Sequence, residues 1–147
     1  MSNKKTKDLP LEIEIGRSVS RLFWSLQNKS NSLLKSFGLT IEQWRLLMLI
    51  SFHEGADQQF LADETLKVKS AITALLNKMG KTGLIARVPD PKDGRNKKVY
   101  LTEKGKVLAE KGKAILMAEG ANVLEGQNRK DLQKMVDIMQ ALTDRML

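Results

Sequence analysis

The stretch VPDPKDGRNKKVYLTEKG, residues 88–105, holds eight charged residues in eighteen, and its first half contains two prolines and a glycine. Asp93 stands two residues before Arg95, and Lys92, Lys97 and Lys98 flank the pair. Cations at this density suit phosphate, and arginine in particular suits the narrow, strongly negative minor groove of DNA. Phosphate would repel a carboxylate at position 93, so Asp93 is expected to act within the molecule. It can hold the Arg95 guanidinium through charge-assisted hydrogen bonds, or form the tight Asp93–Gly94 turn, and the two roles are compatible. Upstream, KVKSAITALLNKMGKTG places Lys69, Ser70, Ala71, Thr73, Ala74, Asn77 and Lys78 on one helical face, opposite Ile72, Leu75, Leu76 and Met79. Short side chains there allow close approach to base edges in the major groove. Thr73 can touch a thymine methyl, Asn77 can bond adenine, and Lys69, Lys78 and Lys81 suit phosphates. An ordinary solvated helix face has the same composition, so the helix alone leaves both readings open.

Charge placement favours a contact surface. The 147-residue chain carries a net +8. Residues 67–106 hold eleven Lys/Arg against three Asp/Glu, and the rest of the chain balances to zero. A basic window of this kind faces nucleic acid or an anionic membrane, or is a solvated face. The absence of cysteine excludes disulfides, thiolate metal sites and thiol nucleophiles. A lone histidine, His53, leaves no multi-histidine metal site or triad, and no glycine-rich phosphate loop is present. The expectation is therefore no metal, no cofactor and no enzymatic activity. The N-terminus lacks the apolar centre of a signal peptide and no run approaches ~20 apolar residues, so a cytoplasmic protein without a membrane partner is expected.

The elements that must position these residues follow from periodicity and punctuation. Residues 1–8 read as a disordered tail, with Pro10 at a first helical position. Ile15, Val19, Leu22, Phe23, Leu26, Leu33 and Leu34 recur at helical spacing up to Phe37, and Gly38 stops that helix. Thr40 caps a second helix whose apolar face reads as Ile41, Trp44, Leu47, Met48 and Phe52. A short helix at 58–66 follows, then the Lys69–Thr82 helix with Ser70 as its N-cap and Gly83 as its stop. LIARVP and KVYL read as strands with a projecting loop between them. Thr102 caps a helix to about Glu125, with Val107, Leu108, Ile115, Leu116, Val123 and Leu124 as its apolar positions. Asn128 caps the last helix, along which Leu132, Met135, Val136, Met139, Leu142 and Met146 keep the period. This is a mainly α chain with a small β-hairpin wing, a winged helix-turn-helix core with N- and C-terminal helices. It reads as a single domain, 1–147, with the winged region at 40–101 and a helical dimerisation region at 10–37 and 102–147. The outer helices carry more apolar surface than a small core needs, which implies a homodimer, and two-fold symmetry is also what paired DNA half-sites require.

GLTIEQWRLLMLI, KSAITALLNKMGKTGLIAR and DPKDGRNKKVYLTEKG resemble the corresponding segments of MarR-family transcriptional regulators, in one collinear order from about residue 11 to 146. The family's D-P-x-D-x-R wing pattern is matched by Asp90, Pro91, Asp93 and Arg95. The resemblance implies a dimeric winged-helix repressor or activator of a pseudo-palindromic double-stranded DNA operator. It implies that Arg95 enters the minor groove with Asp93 supporting it, while the helix starting near Ser70 reads the major groove. Members often carry arginine where this chain has Ala74, so specificity must lean on Asn77, Thr73 and the wing, and Gly80 stands where a good helix former is usual. The resemblance further implies a small aromatic effector bound between dimer helices and winged domain. Phe23, Trp24, Trp44, Met48, Phe52 and His53 are the candidates to line such a pocket, or are simply packed in the core. The competing reading is a winged-helix protein–protein interaction module without specific DNA binding, since a fold does not fix function.

Overall fold

The computed structural model describes residues 9–147, so the tail read at residues 1–8 lies outside the described residues. Helix α1, Leu11–Leu34, starts one residue after Pro10, which caps it from outside rather than occupying its first turn. A 3₁₀ turn, Lys35–Phe37, then ends at Gly38, whose φ of 68° is the left-handed conformation that glycine adopts freely. Helix α2, Ile41–Phe52, opens with a capping box. The Thr40 hydroxyl accepts from the Gln43 amide at 3.2 Å, and Gln43 Oε1 accepts from the Thr40 amide at 3.0 Å. Gln43 is thereby satisfied although buried.

Helix α2 buries Ile41, Leu46, Leu47 and Ile50, a face rotated from the expected one. Phe52, expected inside, is 74% exposed, and Trp44 and Met48 are half-buried. The unbroken apolar run Leu46–Ile50 surrounds the helix, so periodicity alone could not orient it.

A two-residue strand, β1 (Ala56–Asp57), precedes α3 (Gln58–Thr65). The chain turns at Leu66, a non-glycine residue at φ 54°, whose amide bonds back to Asp63 while Lys67 bonds back to Ala62. Helix α4, Lys69–Lys81, occupies the expected span but is capped differently. Its N-cap is Val68, with no side-chain cap, and Ser70 lies inside the first turn, so the capping role given to Ser70 is corrected. Gly83 (φ 74°) leads into β2 (Ile85–Pro89), which pairs antiparallel with β3 (Lys97–Leu101) in the register Ile85↔Leu101, Arg87↔Val99 and Pro89↔Lys97. Strand β1 adds to the other side of β3, giving the order β1-β3-β2.

Thr102 caps α5, Glu103–Val123, by accepting from the Gly105 amide at 3.0 Å. The residues α5 buries are Gly105, Ala109 and Gly112, not the larger apolar residues read as its face. Small residues let the helix backbone lie directly on its neighbours. Helix α6, Arg129–Asp144, is capped by Asn128 as expected and buries nothing. The chain divides into a compact unit ending at Ile115 and a second from Leu116 to Leu147. The core of the first unit is Leu34, Leu46, Leu47, Ile50, Leu61, Ile72, Leu76, Met79 and Val99, all fully buried and each stabilising by about 1.5–3 kcal/mol. Among the described residues no helix is long and apolar enough to cross a membrane.

Candidate nucleic-acid interface

Helix α4 turns Ile72, Leu76 and Met79 fully inward. That fixes the opposite side outward, and Lys69, Ser70, Ala71, Ala74, Asn77, Lys78 and Lys81 are exposed there as expected. Thr73 is half-buried. Its hydroxyl donates to the Lys69 carbonyl at 2.9 Å and accepts from Gln58 Nε2, which reaches over from the first turn of α3. A hydroxyl has one proton. With that proton engaged, Thr73 offers DNA its methyl group, the part suited to thymine.

The wing is closed by its own backbone and two aspartates. Asp90 Oδ1 accepts from the Lys92 amide at 2.9 Å, the Asp90 amide donates to the Asn96 carbonyl at 2.8 Å, and the Asn96 amide donates to the Asp93 carbonyl at 3.0 Å. Asp93 Oδ1 accepts from the backbone amide of Arg95 at 3.1 Å. Of the two roles read for Asp93, the one present is the turn. The carboxylate fixes the backbone that carries Arg95, and the guanidinium is held by no carboxylate among the described residues. Lys92, Arg95 and Lys97 are exposed, whereas Lys98 is partly buried and turned to Asp90 at 3.7 Å.

Asp57, absent from the sequence reading, joins wing to helices. Its Oδ1 caps α3 by accepting from the Phe60 amide at 2.8 Å, and its Oδ2 accepts from Asn96 Nδ2 at 3.3 Å. The Phe60 amide does most to hold this carboxyl below its ordinary range; burial opposes the shift, and Asn96, Lys98 and the Gln59 amide add to it. Two open clefts lie between α4 and the wing. One, of about 520 Å³, is bordered by Asn77, Gly80, Lys81, Ile85, Arg87 and Lys97. The other, of about 570 Å³, is bordered by Gln58, Lys69, Arg87, Arg95 and Lys97 among others. Arg87 and Lys97 border both, and Arg87 too escaped the sequence reading.

The six pocket candidates have different surroundings. Trp44 Nε1 donates to the Ala109 carbonyl at 3.0 Å and its ring lies against Gly112. His53 meets Phe60 at a tilt, ring centroids 4.9 Å apart, and Phe23 meets Trp24 edge-on at 5.4 Å. Phe23 borders a cavity of about 420 Å³, lined also by Glu42, Arg45, Leu46, Leu49, Glu64, Lys67, Ile72 and Leu75 among others.

The chain that carries this cationic cleft is similar to known proteins in sequence and in fold. The sequence pattern of the MarR family matches residues 37–96. The regulator SarZ of Staphylococcus epidermidis, described as an HTH-type transcriptional regulator, is 30% identical over 113 residues, 74% of this chain and 76% of that protein. The chain belongs to the MarR family. A MarR-family transcriptional regulator from Rhodococcus sp. RHA1 superposes with a TM-score of 0.80 at 28% identity, covering 90% of this chain and 94% of that one. The match to the HTH-type regulator FarR of Neisseria gonorrhoeae is shorter: 28% over 86 residues, 58% of this chain and 59% of FarR. This MarR-family chain is thus a DNA-binding winged helix-turn-helix transcriptional regulator.

Proposed function

We propose that the protein is a repressor that acts as a homodimer on a pseudo-palindromic operator. The observation that carries this reading is the pair of clefts between α4 and the wing, bordered by Lys69, Arg87, Arg95 and Lys97 on one face of a single compact unit. In this reading α4 lies in the major groove. Ser70, Ala71 and Ala74 allow close approach, Thr73 and Asn77 read bases, and Lys69 and Lys78 hold phosphates. Arg95 enters the adjacent minor groove from a backbone set by Asp93, and Lys92 and Lys97 add phosphate contacts; Lys98, tied to Asp90, contributes less. Apolar residues exposed along α1, among them Leu22 and Leu26, and separately along α6, among them Val136 and Ile138, are available to a second copy of the chain. Two half-sites then lie about 34–36 Å apart on one face of the duplex.

The test is a titration of the chain's own upstream region against a random duplex at two salt concentrations. Operator binding at least ~10³-fold tighter than random is the expected outcome. Equal affinity for both duplexes would falsify the proposal and favour a protein-interaction module. Arg95→Ala should weaken operator binding strongly and leave the dimer intact.

The Phe23 cavity fits a small aromatic carboxylate as the releasing effector. Phe23, Leu46, Leu49, Ile72 and Leu75 supply its apolar wall, Glu42, Glu64, Thr65 and Lys67 its polar rim, with Glu42 paired to Lys67 at 2.8 Å, and Arg45 there donates to Gln27 at 2.8 Å and pairs with no carboxylate among the described residues. A thermal-shift screen of aromatic acids tests this, since a bound ligand stabilises by RT ln(1 + [L]/Kd). No shift with any aromatic acid, or a shift unchanged in Arg45→Ala, refutes this site.

A further inference from the structure

The register of the wing puts a charge where a strand pairing on a helix normally puts an apolar side chain. Ile85, Arg87 and Pro89 alternate onto one face of β2, and their cross-strand partners Leu101, Val99 and Lys97 share that face. Ile85, Val99 and Leu101 are buried there, but Arg87 is exposed at the edge of both clefts. Among the described residues no carboxylate pairs with it. Its Nη2 lies 3.9 Å from the point where a Cβ would stand on Gly80, in the last turn of α4. The glycine costs the helix some stability, and what it leaves open is the space beside that guanidinium.

A helix in the major groove and a wing tip in the neighbouring minor groove must straddle the sugar–phosphate strand between those grooves. The groups between the two elements therefore meet a phosphodiester. We propose that Arg87 grips this phosphodiester with its two-pronged guanidinium, beside Lys97, and that Gly80 keeps the position open. The proposal rests on the DNA-binding reading above and adds to it a contact that senses the backbone rather than the sequence.

Because phosphate contacts are indifferent to sequence, a random-sequence duplex of about 30 base pairs suffices as probe. The full-length protein is titrated at four or more salt concentrations. Arg87→Ala should weaken binding about 3–10-fold and flatten the plot of log K against log salt by roughly 0.9 per protomer. Arg87→Lys should restore the slope but not the full affinity, since a point charge lacks the fork. Gly80→Leu, which removes no charge, should weaken binding in the wild-type background and add nothing in the Arg87→Ala background. An Arg87→Ala protein with unchanged slope and affinity overturns the proposal, and so does a Gly80→Leu loss that simply adds to that of Arg87→Ala. Melting curves for each variant verify folding. A wild-type protein that binds no duplex at any salt concentration fails at the DNA-binding reading itself, a result distinct from loss in the variants alone.

Discussion

Gly105→Ala tests how α5 is seated. A Cβ at position 105 would stand 2.0 Å from the carbonyl oxygen of Leu84 and 3.1 Å from its carbon. The obstacle is backbone, so no rotamer change relieves it; helix and strand must separate by more than about 1 Å to reach ordinary contact near 3.5 Å. That same oxygen accepts the Thr102 amide at 3.1 Å, a bond that joins the end of β3 to the start of β2, and separation strains or breaks it. Overpacking costs about 1–3 kcal/mol and a lost hydrogen bond about 1 kcal/mol. Better helix propensity returns about 0.5–1 kcal/mol. The net loss is roughly 2–3 kcal/mol, which lowers Tm by about 5–10 °C in a chain of this size. Gly120→Ala, on the same helix with nothing within 4 Å, is the control and should raise Tm slightly. Calorimetry or circular dichroism gives both numbers. A Gly105→Ala protein that melts at or above the wild-type temperature refutes the close approach on which this reasoning depends.

Two further outcomes follow from the wing. Asn at position 93 retains an oxygen that can accept the Arg95 amide, so Asp93→Asn should bind operator nearly as wild type while Asp93→Ala loses affinity; equal losses in a mobility-shift titration would mean that the charge, not the turn, is what matters. Asp57 titrates below its ordinary value, so the stability it adds is complete above pH ~4, the unfolded value, and is lost as pH falls through the folded one. The Tm advantage of wild type over Asp57→Asn should therefore be constant from about pH 5 to 8 and shrink below about pH 4, and an advantage that instead grows in acid would reverse the assigned sign.

Local punctuation was legible in the sequence wherever one residue does the work. Thr40, Thr102 and Asn128 cap their helices, and Gly38 and Gly83 take positive φ, because each role needs only a side-chain oxygen or a missing Cβ. What depended on tertiary partners was not legible. Strand β1 has two residues, too few for alternation, and exists only through pairing with Val99 and Lys98. Leu66 takes φ 54° without any turn-forming side chain to announce it. At the site, the outward face of α4 and the wing cations came directly from spacing. Asp57, Gln58 and Asn96 did not, since they act on residues distant in sequence. Arg87 did leave a signal, a charge two residues after Ile85 on the inward phase of a strand, but only the register gave it meaning.

Helix α6 buries none of its sixteen residues, and Met135, Val136, Ile138, Met139 and Leu142 all stand in solvent in the single chain. An isolated helix of that length is marginal in water. In the homodimer proposed above a second copy of the chain would cover this surface, and dilution itself then becomes a denaturant. Abundance would then govern more than occupancy of the operator. Below some copy number a cell would hold neither dimers nor durable monomers, because frayed helices are cleared by proteases. In the repressor reading proposed above, a gene under such a regulator would be released abruptly as the protein is diluted by growth, with a threshold written into the surface of the last helix rather than into the DNA.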